Sequence, residues 1–490
     1  MGNRKGTVGS IKKGIFSSPG DFVTEGGRVL PGIEIAYEVY GQMNADKSNA
    51  VLICHPLTAD AHAAGWHDGD KKPGWWDIAI GPGKAFDTDK FCVISSNVLG
   101  GCSGSTGPSS LNKNTGREWG PDFPVVTIKD MVRAQKLLLE HIGVKCLFAV
   151  AGGSMGGMQV LEWAVSYPDM VKKAIAIATT ASPGPQQIAF NAIGRKAVTD
   201  DPDWKGGRYY GETFPAKGLS LARMIGHTTY LSPESMVDKF GRETLLGEKA
   251  EPDLLPDFQV ESYLDYQGGS FTKRFDANSY LYITKAVDLF DLSKNKTLTE
   301  GLSGVRARFL VIAITSDWLY PPSESKEIVS ALLENGAKAD YAEIRSHYGH
   351  DAFLIEGGQL NYIIARFLSQ ICSKDVMSAP AITISEKATI KEASAVLIKK
   401  RINHLPVTDP SERISGIVTS WDIAKAVACG LERLEEIITS DVICTGPEEP
   451  IEKAAEKMSK NSISALPVVD RTGKILGIIT SEGLSRLIGR

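Results

Sequence analysis

The chain has 490 residues, of which 42% are hydrophobic and 23% charged, so it can bury a large core and form two or three domains. Lysine and arginine number 54 against 58 aspartates and glutamates, which gives a net charge of −4 without a basic stripe and argues against a nucleic-acid partner. No segment approaches the roughly 18 apolar residues of a membrane span, and the amino terminus lacks the apolar run of a signal peptide. The sequence therefore predicts a cytoplasmic protein with no membrane partner.

The cysteines and histidines do not form a recognisable metal pattern. The seven cysteines are scattered, odd in number and without a CxxC pair, so neither a disulfide framework nor a zinc site is expected. His55, His62 and His67 are irregularly spaced and lack a nearby acidic pattern, so no metal is assigned to them.

Apolar runs alternate with helical patterns over much of the chain. The strand-like runs lie at residues 49–55, 91–97, 146–152, 172–179, 309–315 and 338–344. Because they are apolar throughout, they predict a mostly parallel sheet covered on both faces. "TIKDMVRAQKLLLEHIG" predicts an amphipathic helix capped by Thr127. Residues 183 to about 300 predict a helical insertion, so one α/β domain is expected over residues 1–371.

The rest of the chain contains an internal repeat. "INHLPVTDPSERISGIVTSWDIAKA" aligns without gaps to "ISALPVVDRTGKILGIITSEGLSRL" at an offset of 61 residues. Two copies of one βαββα-like unit are therefore predicted, at residues 374–432 and 437–490.

A serine between glycines follows one apolar run and precedes a helical pattern. In "CLFAVAGGSMGGMQVLEW", Gly152, Ser154 and Gly156 match the Gly-x-Ser-x-Gly turn that presents a nucleophile between a strand and a helix. Serine among glycines is also common in ordinary turns. The flanking strand and helix favour Ser154 as a nucleophile.

A serine nucleophile needs a histidine base and an acid that orients it, and in this arrangement both follow the serine in the order acid, then histidine. Asp317 follows the run at 309–315, and His350 follows the run at 338–344. His347 is a competing base, but the glycine before His350 and the apolar residues after it favour His350. The oxyanion donors are expected to be the backbone N–H groups of Met155 and Leu57.

Six segments resemble one branch of the α/β-hydrolase fold, the homoserine O-acetyltransferases of methionine biosynthesis. They are "NVLGGCSGSTGPSS" (97–110), "DFPVVTIKDMVRAQ" (122–135), "AGGSMGGMQVLEW" (151–163), "ARMIGHTTYLS" (222–232), "TSDWLYPP" (315–322) and "YGHDAFLIE" (348–356). The resemblance implies an α/β-hydrolase fold whose insertion at about 183–300 forms a helical lid. In the oxyanion loop this chain reads "HPLTA" at 55–59, where the family commonly has His-Ala-Leu-Thr-Gly.

The resemblance also implies roles for individual residues. The family's catalytic triad falls on Ser154, Asp317 and His350. Its substrate-carboxylate arginine falls on Arg223, whose guanidinium suits a carboxylate. Asp351 matches the residue that receives the substrate ammonium, and Tyr230 matches a residue that lines the site.

The implied reaction is ping-pong transfer of an acetyl group from acetyl-CoA, a co-substrate, through Ser154 to the γ-hydroxyl of L-homoserine. No tightly bound cofactor is expected. Homoserine O-succinyltransferase, a related serine O-acyltransferase and an esterase of the same fold remain as alternatives. A regulatory protein with a dead site is disfavoured by the intact order of the triad.

The repeated tail resembles a pair of CBS domains, modules that commonly bind adenosyl ligands. In their "G-h-x-[TS]-x-x-D" stretch the hydroxyl holds phosphate and the acid holds ribose, and here Thr419 and Asp422 fill these positions. Gly483 replaces the acid in the second copy, so the resemblance implies one intact site. Its ligand is expected to be S-adenosylmethionine or an adenine nucleotide. The alternative is that the pair serves only dimerisation, and a homodimer is expected in either case.

Overall fold

The computed structural model describes residues 8–9, 11–245, 258–369 and 372–488, and the chain divides into two compact units, Met1–Leu368 and Ser369–Arg490. Within the described residues, no helix combines the length and the apolar character that crossing a membrane requires.

The first unit contains twelve strands in its described part. They are β1 (Lys12–Ser17), β2 (Phe22–Val23), β3 (Val29–Leu30), β4 (Glu34–Tyr40), β5 (Ala50–Cys54), β6 (Cys92–Ser96), β7 (Leu111–Asn112), β8 (Arg117–Glu118), β9 (Ala149–Gly153), β10 (Lys173–Ile177), β11 (Arg308–Ile314) and β12 (Ala339–Ile344). Eight of them form one sheet in the order β1-β4-β6-β5-β9-β10-β11-β12. Within this sheet the pairs β1/β4 and β4/β6 are antiparallel, and the remaining neighbours, from β6 through β5, β9, β10 and β11 to β12, are parallel.

Helices cover both faces of this sheet and form the insertion between β10 and β11. They are α1 (Ile128–His141), α2 (Met155–Ser166), α3 (Pro185–Asp200), α4 (Ala216–Tyr230), α5 (Pro233–Phe240), α6 (Gln259–Phe271), α7 (Ala277–Asp288), α8 (Leu298–Gly301), α9 (Pro322–Glu334), α10 (Ala352–Ile355) and α11 (Gly357–Leu368). Each central strand β5, β6 and β9 is buried along its whole length, and a hydrophobic core lies on each face of the sheet. Parallel strands have this pattern because helices remove both faces from water.

The structure confirms the predicted parallel sheet and helical insertion. Helix α1 begins after Thr127, whose side chain accepts a hydrogen bond from the Asp130 N–H while the Asp130 carboxylate accepts one from the Thr127 N–H. The sequence prediction did not locate the antiparallel strands β1 and β4. Their burial is intermittent, so neither is a continuous apolar run.

The second unit contains the predicted repeat. Its elements are α12 (Ser373–Val376), β13 (Ile384–Ser385), α13 (Ile390–Lys400), β14 (His404–Thr408), β15 (Ile414–Thr419), α14 (Ser420–Ala428), α15 (Ile451–Lys460), β16 (Ala465–Val469), β17 (Ile475–Thr480) and α16 (Ser481–Ile488). The hairpins β14/β15 and β16/β17 share one register, including a bulge at the same place. Each copy has its own small hydrophobic core.

Candidate active site

Ser154 lies at a sharp turn between β9 and α2. Its φ of 59° and ψ of −126° place it in a region that side chains other than glycine rarely adopt. The turn is crowded, because a Cβ on Gly156 would lie 2.1 Å from the Cys54 carbonyl oxygen. Only glycine at that position lets α2 approach β5 this closely. The predicted strand, turn and helix are therefore all present around Ser154.

His350, which follows β12, is hydrogen-bonded to Asp317, which follows β11. The His350 Nδ1–H donates to Asp317 Oδ2 over 2.7 Å, and both side chains are buried. Asp317 Oδ1 also accepts from the backbone N–H groups of Leu319, at 2.9 Å, and Tyr320, at 3.0 Å. Burial by itself would lower the pKa of His350, but the charge and hydrogen bond of Asp317 raise it above the ordinary value.

The competing histidine has a different environment. Half of the His347 side chain is exposed, and its Nε2 lies 3.7 Å from the exposed Asp238 carboxylate. Gly349 brings the following residue inward, because a Cβ there would lie 2.5 Å from the Ser232 backbone nitrogen. The structure thus brings His350, and not His347, to Asp317.

The predicted oxyanion donors lie near Ser154. Met155 begins α2, where the backbone N–H groups of the first turn have no partner within the helix. Leu57 lies two residues after His55, which is buried. The His55 Nδ1–H donates to the Pro56 carbonyl over 2.8 Å, and its Nε2 accepts from the Val98 N–H over 3.0 Å. Both ring nitrogens of His55 are thereby used to hold the loop that carries Leu57.

One cavity of about 150 Å³ unites the predicted residues. Its lining includes Ser154, Met155, Leu57, Arg223, Tyr230, His350 and Asp351. Asp317, the third residue of the predicted triad, lies behind the wall, where it contacts His350. The lid contributes Arg223 and Tyr230 from α4, so the insertion closes the cavity over the carboxyl ends of the parallel strands.

The cavity contains opposite charges that no sequence spacing could place. The Arg223 guanidinium lies 4.9 Å from the Phe271 ring centre and 5.6 Å from that of Tyr230, and its Nη1 donates to Thr58 Oγ1 over 3.2 Å. Burial raises the pKa of Asp351, while His350 and Arg223 oppose that rise. A cation that entered beside Asp351 would stabilise its ionised form.

A larger cavity of about 690 Å³ shares Arg223 and Thr58 with the first. It is lined by Lys71, Lys72 and Arg274, together with three aspartates and Trp75. Arg274 lies in the lid, in the segment between α6 and α7, and its Nη1 donates to the Thr58 carbonyl over 2.9 Å. Burial and the neighbouring Arg223 lower the pKa of Arg274, because both disfavour its positive charge. An anion bound beside Arg274 would stabilise that charge. The sequence prediction did not identify Arg274.

One reason given for excluding a metal near the histidines was wrong. His62 and His67 have acidic neighbours after all, because Glu38 from β4 and Asp70 both lie within 3.3 Å of at least one of their ring nitrogens. His55 takes no part in this cluster. Asp70 lies only three residues after His67 and was visible in the sequence, whereas Glu38 comes from a strand 24 residues before His62 and could not be found by spacing.

In the second unit, Thr419 and Asp422 are hydrogen-bonded to each other. The Thr419 hydroxyl donates to Asp422 Oδ2 over 2.7 Å, and the Thr419 N–H donates to the same oxygen over 2.8 Å, which caps α14. A cavity of about 310 Å³ lies between the two copies, with Arg401 and His404 of the first copy and Thr480 and Gly483 of the second in its wall. Neither Thr419 nor Asp422 lines it. The residue pair predicted to bind an adenosyl ligand is therefore engaged as a helix cap in this structure.

The fold and the site define the class of the first unit. The strand order, the nucleophile turn and the acid and histidine at consecutive strand ends are those of an α/β-hydrolase. The chain matches the family described as the alpha/beta hydrolase fold over residues 49–356, which is more than half of its length, and the CBS domain family over residues 373–429 and 434–490.

Comparison with individual proteins narrows the class. The chain is 58% identical to a homoserine O-acetyltransferase of Methanosarcina acetivorans, over 100% of this chain and 96% of that protein. The crystal structure of homoserine O-acetyltransferase from Bacillus anthracis is 34% identical, with a TM-score of 0.69, over 73% of this chain and 98% of that one. An acetylester hydrolase from Corynebacterium glutamicum is 27% identical, with a TM-score of 0.61, over 74% and 96%. The chain belongs to the homoserine O-acetyltransferase family, and it is an enzyme.

The tail has its own structural relative. A CBS domain pair crystallised with 5′-methylthioadenosine and S-adenosyl-L-methionine is 47% identical over 25% of this chain and 98% of that one, with a TM-score of 0.24.

Proposed function

We propose that this enzyme transfers the acetyl group of acetyl-CoA to the γ-hydroxyl of L-homoserine and releases O-acetyl-L-homoserine and CoA, a step of methionine biosynthesis. One observation carries the proposal beyond the family assignment. Ser154 and His350 share a small cavity with a cation, Arg223, and an acid, Asp351. A hydrolase of simple esters has no need of this pair, whereas an amino-acid acceptor has a carboxylate and an ammonium to place.

In the first half of the reaction, His350 Nε2 takes the proton of Ser154 as the serine oxygen attacks the thioester carbonyl. Asp317 holds the Nδ1 proton, which leaves Nε2 as the basic nitrogen. The N–H groups of Met155 and Leu57 bind the negative oxygen of the tetrahedral intermediate. CoA leaves with the proton that His350 returns, and the acetyl group remains on Ser154.

In the second half, homoserine binds with its carboxylate on Arg223 and its ammonium beside Asp351. His350 then removes the proton of the γ-hydroxyl, whose oxygen attacks the acetyl-serine ester and releases Ser154. Water competes with homoserine for the acetyl-enzyme. The small cavity under the lid, with Tyr230 and other aromatic side chains in its wall, supports exclusion of water until the acceptor fills it.

The larger cavity supports a CoA donor. Four basic residues, Lys71, Lys72, Arg223 and Arg274, line it against three aspartates, and CoA carries a diphosphate and a further phosphate that these bases can bind. Because the two cavities share Arg223 and Thr58, a thioester could extend from these bases to Ser154. A free ester donor would not use these lysines.

An esterase is the second candidate function, because the chain is also similar to an acetylester hydrolase. The deciding experiment measures CoA release from acetyl-CoA and from succinyl-CoA, each with and without L-homoserine or L-serine, and uses Ser154→Ala as the control. Release that needs homoserine and is lost in the variant is expected with acetyl-CoA. Equal release without an acceptor would indicate hydrolysis, and preference for succinyl-CoA or serine would change the donor or acceptor.

The CBS pair is proposed to bind an adenosyl compound and thereby regulate the enzyme. The matched CBS family and the polar cavity around Thr480 support a ligand. Thr419 remains the proposed phosphate-binding residue and Asp422 the proposed ribose-binding residue. Calorimetry of the full chain with S-adenosylmethionine, 5′-methylthioadenosine and adenine nucleotides tests this. The absence of heat with every compound would refute it.

The remaining proposals concern organisation. We propose an acyltransferase domain at residues 1–371, CBS domains at 374–432 and 437–490, and a cytoplasmic homodimer. Light scattering during gel filtration tests the dimer, since a monomer mass at micromolar concentration would contradict it.

A further inference from the structure

Glu38, His62, His67 and Asp70 form a cluster beside the larger cavity, here called the Glu38 cluster. His62 Nδ1 lies 3.0 Å from Glu38 Oε2, and His67 Nε2 lies 2.9 Å from Glu38 Oε1. Asp70 Oδ2 lies 3.3 Å from His62 Nε2 and 3.8 Å from His67 Nδ1. Four metal-binding side chains therefore converge although they come from a strand and a loop.

Hydrogen bonds between the imidazoles and the carboxylates account for only part of this arrangement. If His62 donates its Nδ1–H to Glu38, its neutral ring directs the Nε2 lone pair at the Asp70 carboxylate. The Nε2 atoms of His62 and His67 are buried and have no hydrogen-bond partner of adequate geometry. The two ring centres are only 3.7 Å apart, so protonating both rings would place two positive charges in contact. A cation beside Glu38 would be bound by His62 Nδ1 and His67 Nε2, and the His62 Nε2–H would then face the Asp70 carboxylate.

We propose that the Glu38 cluster binds one divalent transition-metal ion through Glu38, His62 Nδ1 and His67 Nε2, while Asp70 lies at the far nitrogen of His62 and supports that ring from outside the ligand set. Imidazole nitrogen and carboxylate oxygen are the ligands of zinc, with bonds of about 2.0–2.2 Å that place tetrahedral donor atoms about 3.3 Å apart. One donor atom each from Glu38, His62 and His67 already lies within 4.8 Å of the others. Two carboxylates with neutral imidazoles carry two negative charges, which a divalent ion balances.

The surroundings support a site built for a metal. The Tyr40 hydroxyl donates to Glu38 Oε2 over 2.7 Å and accepts from the Ala63 N–H over 2.8 Å, so it orients the carboxylate from behind. His62 and Asp70 also line the larger cavity, which provides an entry path.

The loop between β5 and β6 is long, and a bound metal ion would constrain it. Residues 55–91 contain no regular helix or strand, and loops of this length are uncommon in compact domains unless they have a function or an added constraint. A metal would tie this loop to Glu38 on β4. The ion would thereby fix the position of the residues that line the larger cavity. It would not line the smaller cavity that contains Ser154 and His350.

The test uses the full-length chain without a histidine tag, treated with a chelator and then titrated with Zn²⁺ in competition with a chromophoric chelator. The wild type should bind one zinc ion per chain. His62→Ala should weaken binding by about 100-fold and Asp70→Asn by at least about 10-fold. The matched control is His141→Ala, which removes an exposed histidine at the end of α1.

A second readout separates this site from zinc bound elsewhere. Co²⁺ in the wild type should give the visible absorption of a tetrahedral site, and His62→Ala should abolish it. If His62→Ala does not fold, Asp70→Asn decides, because the Asp70 side chain is 29% exposed and the change keeps its shape. Absence of stoichiometric zinc at micromolar free metal, or zinc binding that neither variant weakens, would overturn the proposal. The readout is metal binding, so it is independent of acyl transfer.

Discussion

Replacing Asp317 with asparagine tests the geometry around His350, the proposed catalytic base. In Asp317→Asn, the amide oxygen can still accept the N–H groups of Leu319 and Tyr320, which lie 2.9 and 3.0 Å from Asp317 Oδ1. The amide NH₂ then takes the place of Oδ2 and faces His350 Nδ1, which is 2.7 Å from that oxygen. Nδ1 must become an acceptor, so the ring proton moves to Nε2. A protonated Nε2 cannot receive the proton of Ser154.

The expected loss is about 10⁴-fold in kcat, the magnitude seen when the equivalent change imposes the wrong tautomer in a serine protease. This corresponds to about 5.5 kcal/mol of activation free energy. The assay is homoserine-dependent release of CoA, measured with a thiol reagent. The control is Asp238→Asn, which changes the acid beside His347.

The pH profile gives an independent readout of the same variant. Asp317 raises the pKa of His350, and the base works only when it is deprotonated, so activity should fall as the pH drops through that raised value. Without the carboxylate the pKa of His350 falls, and the acid limb of the residual activity should move to lower pH. A loss below tenfold, or an acid limb that stays in place, would refute the assignment of Asp317.

Three further changes test other parts of the molecule. Arg223→Ala should lower kcat/KM for homoserine by about 10- to 100-fold, because a charged hydrogen bond contributes about 1.5–3 kcal/mol, while burst acetylation of Ser154 by a small acetyl ester should persist. Lys72→Gln should raise KM for acetyl-CoA by about two- to fivefold at low salt, as expected for an exposed ion pair, and leave KM for an acetyl ester unchanged. Gly156→Ala should destabilise the protein by at least about 1–3 kcal/mol in thermal or denaturant unfolding, because its Cβ would meet the Cys54 carbonyl at 2.1 Å.

Matched controls accompany these variants. Lys113→Gln removes a lysine that is 70% exposed and pairs with Glu34, and it should leave both KM values unchanged. Gly358→Ala adds a Cβ in open space on α11 and should be neutral or slightly stabilising. A kcat/KM for homoserine that Arg223→Ala does not lower, or equal stability of the two alanine variants, would contradict the structural reasoning.

Much of the fold was predictable because its signals are local. The apolar runs of β5, β6 and β9 and the Thr127 cap of α1 each depend on neighbouring residues. Strand β1 escaped prediction because most of "KKGIFS" is exposed at the edge of the sheet. Strand β4 escaped because one of its faces is only partly covered, so its apolar residues do not form a run.

The candidate site was predictable where chain order is informative. The turn at Ser154 and the strand ends that carry Asp317 and His350 follow from local patterns together with the order that the fold requires. Family resemblance added Arg223 and Asp351, which no local pattern distinguishes from surface charges. It did not identify Arg274, whose position depends on a hydrogen bond to Thr58, 216 residues earlier.

The sequence by itself thus determined the sheet, the helical insertion, the repeat and the chain order of Ser154, Asp317 and His350, because each is encoded by neighbouring residues or by strand order. Only the tertiary structure decided which charges converge. Arg223 meets Thr58 across 165 residues, and Glu38 meets His62 only because β4 pairs with β6 beside the long loop. Such contacts arise from the packing of separate segments, and their energies depend on burial and distance that linear spacing does not contain.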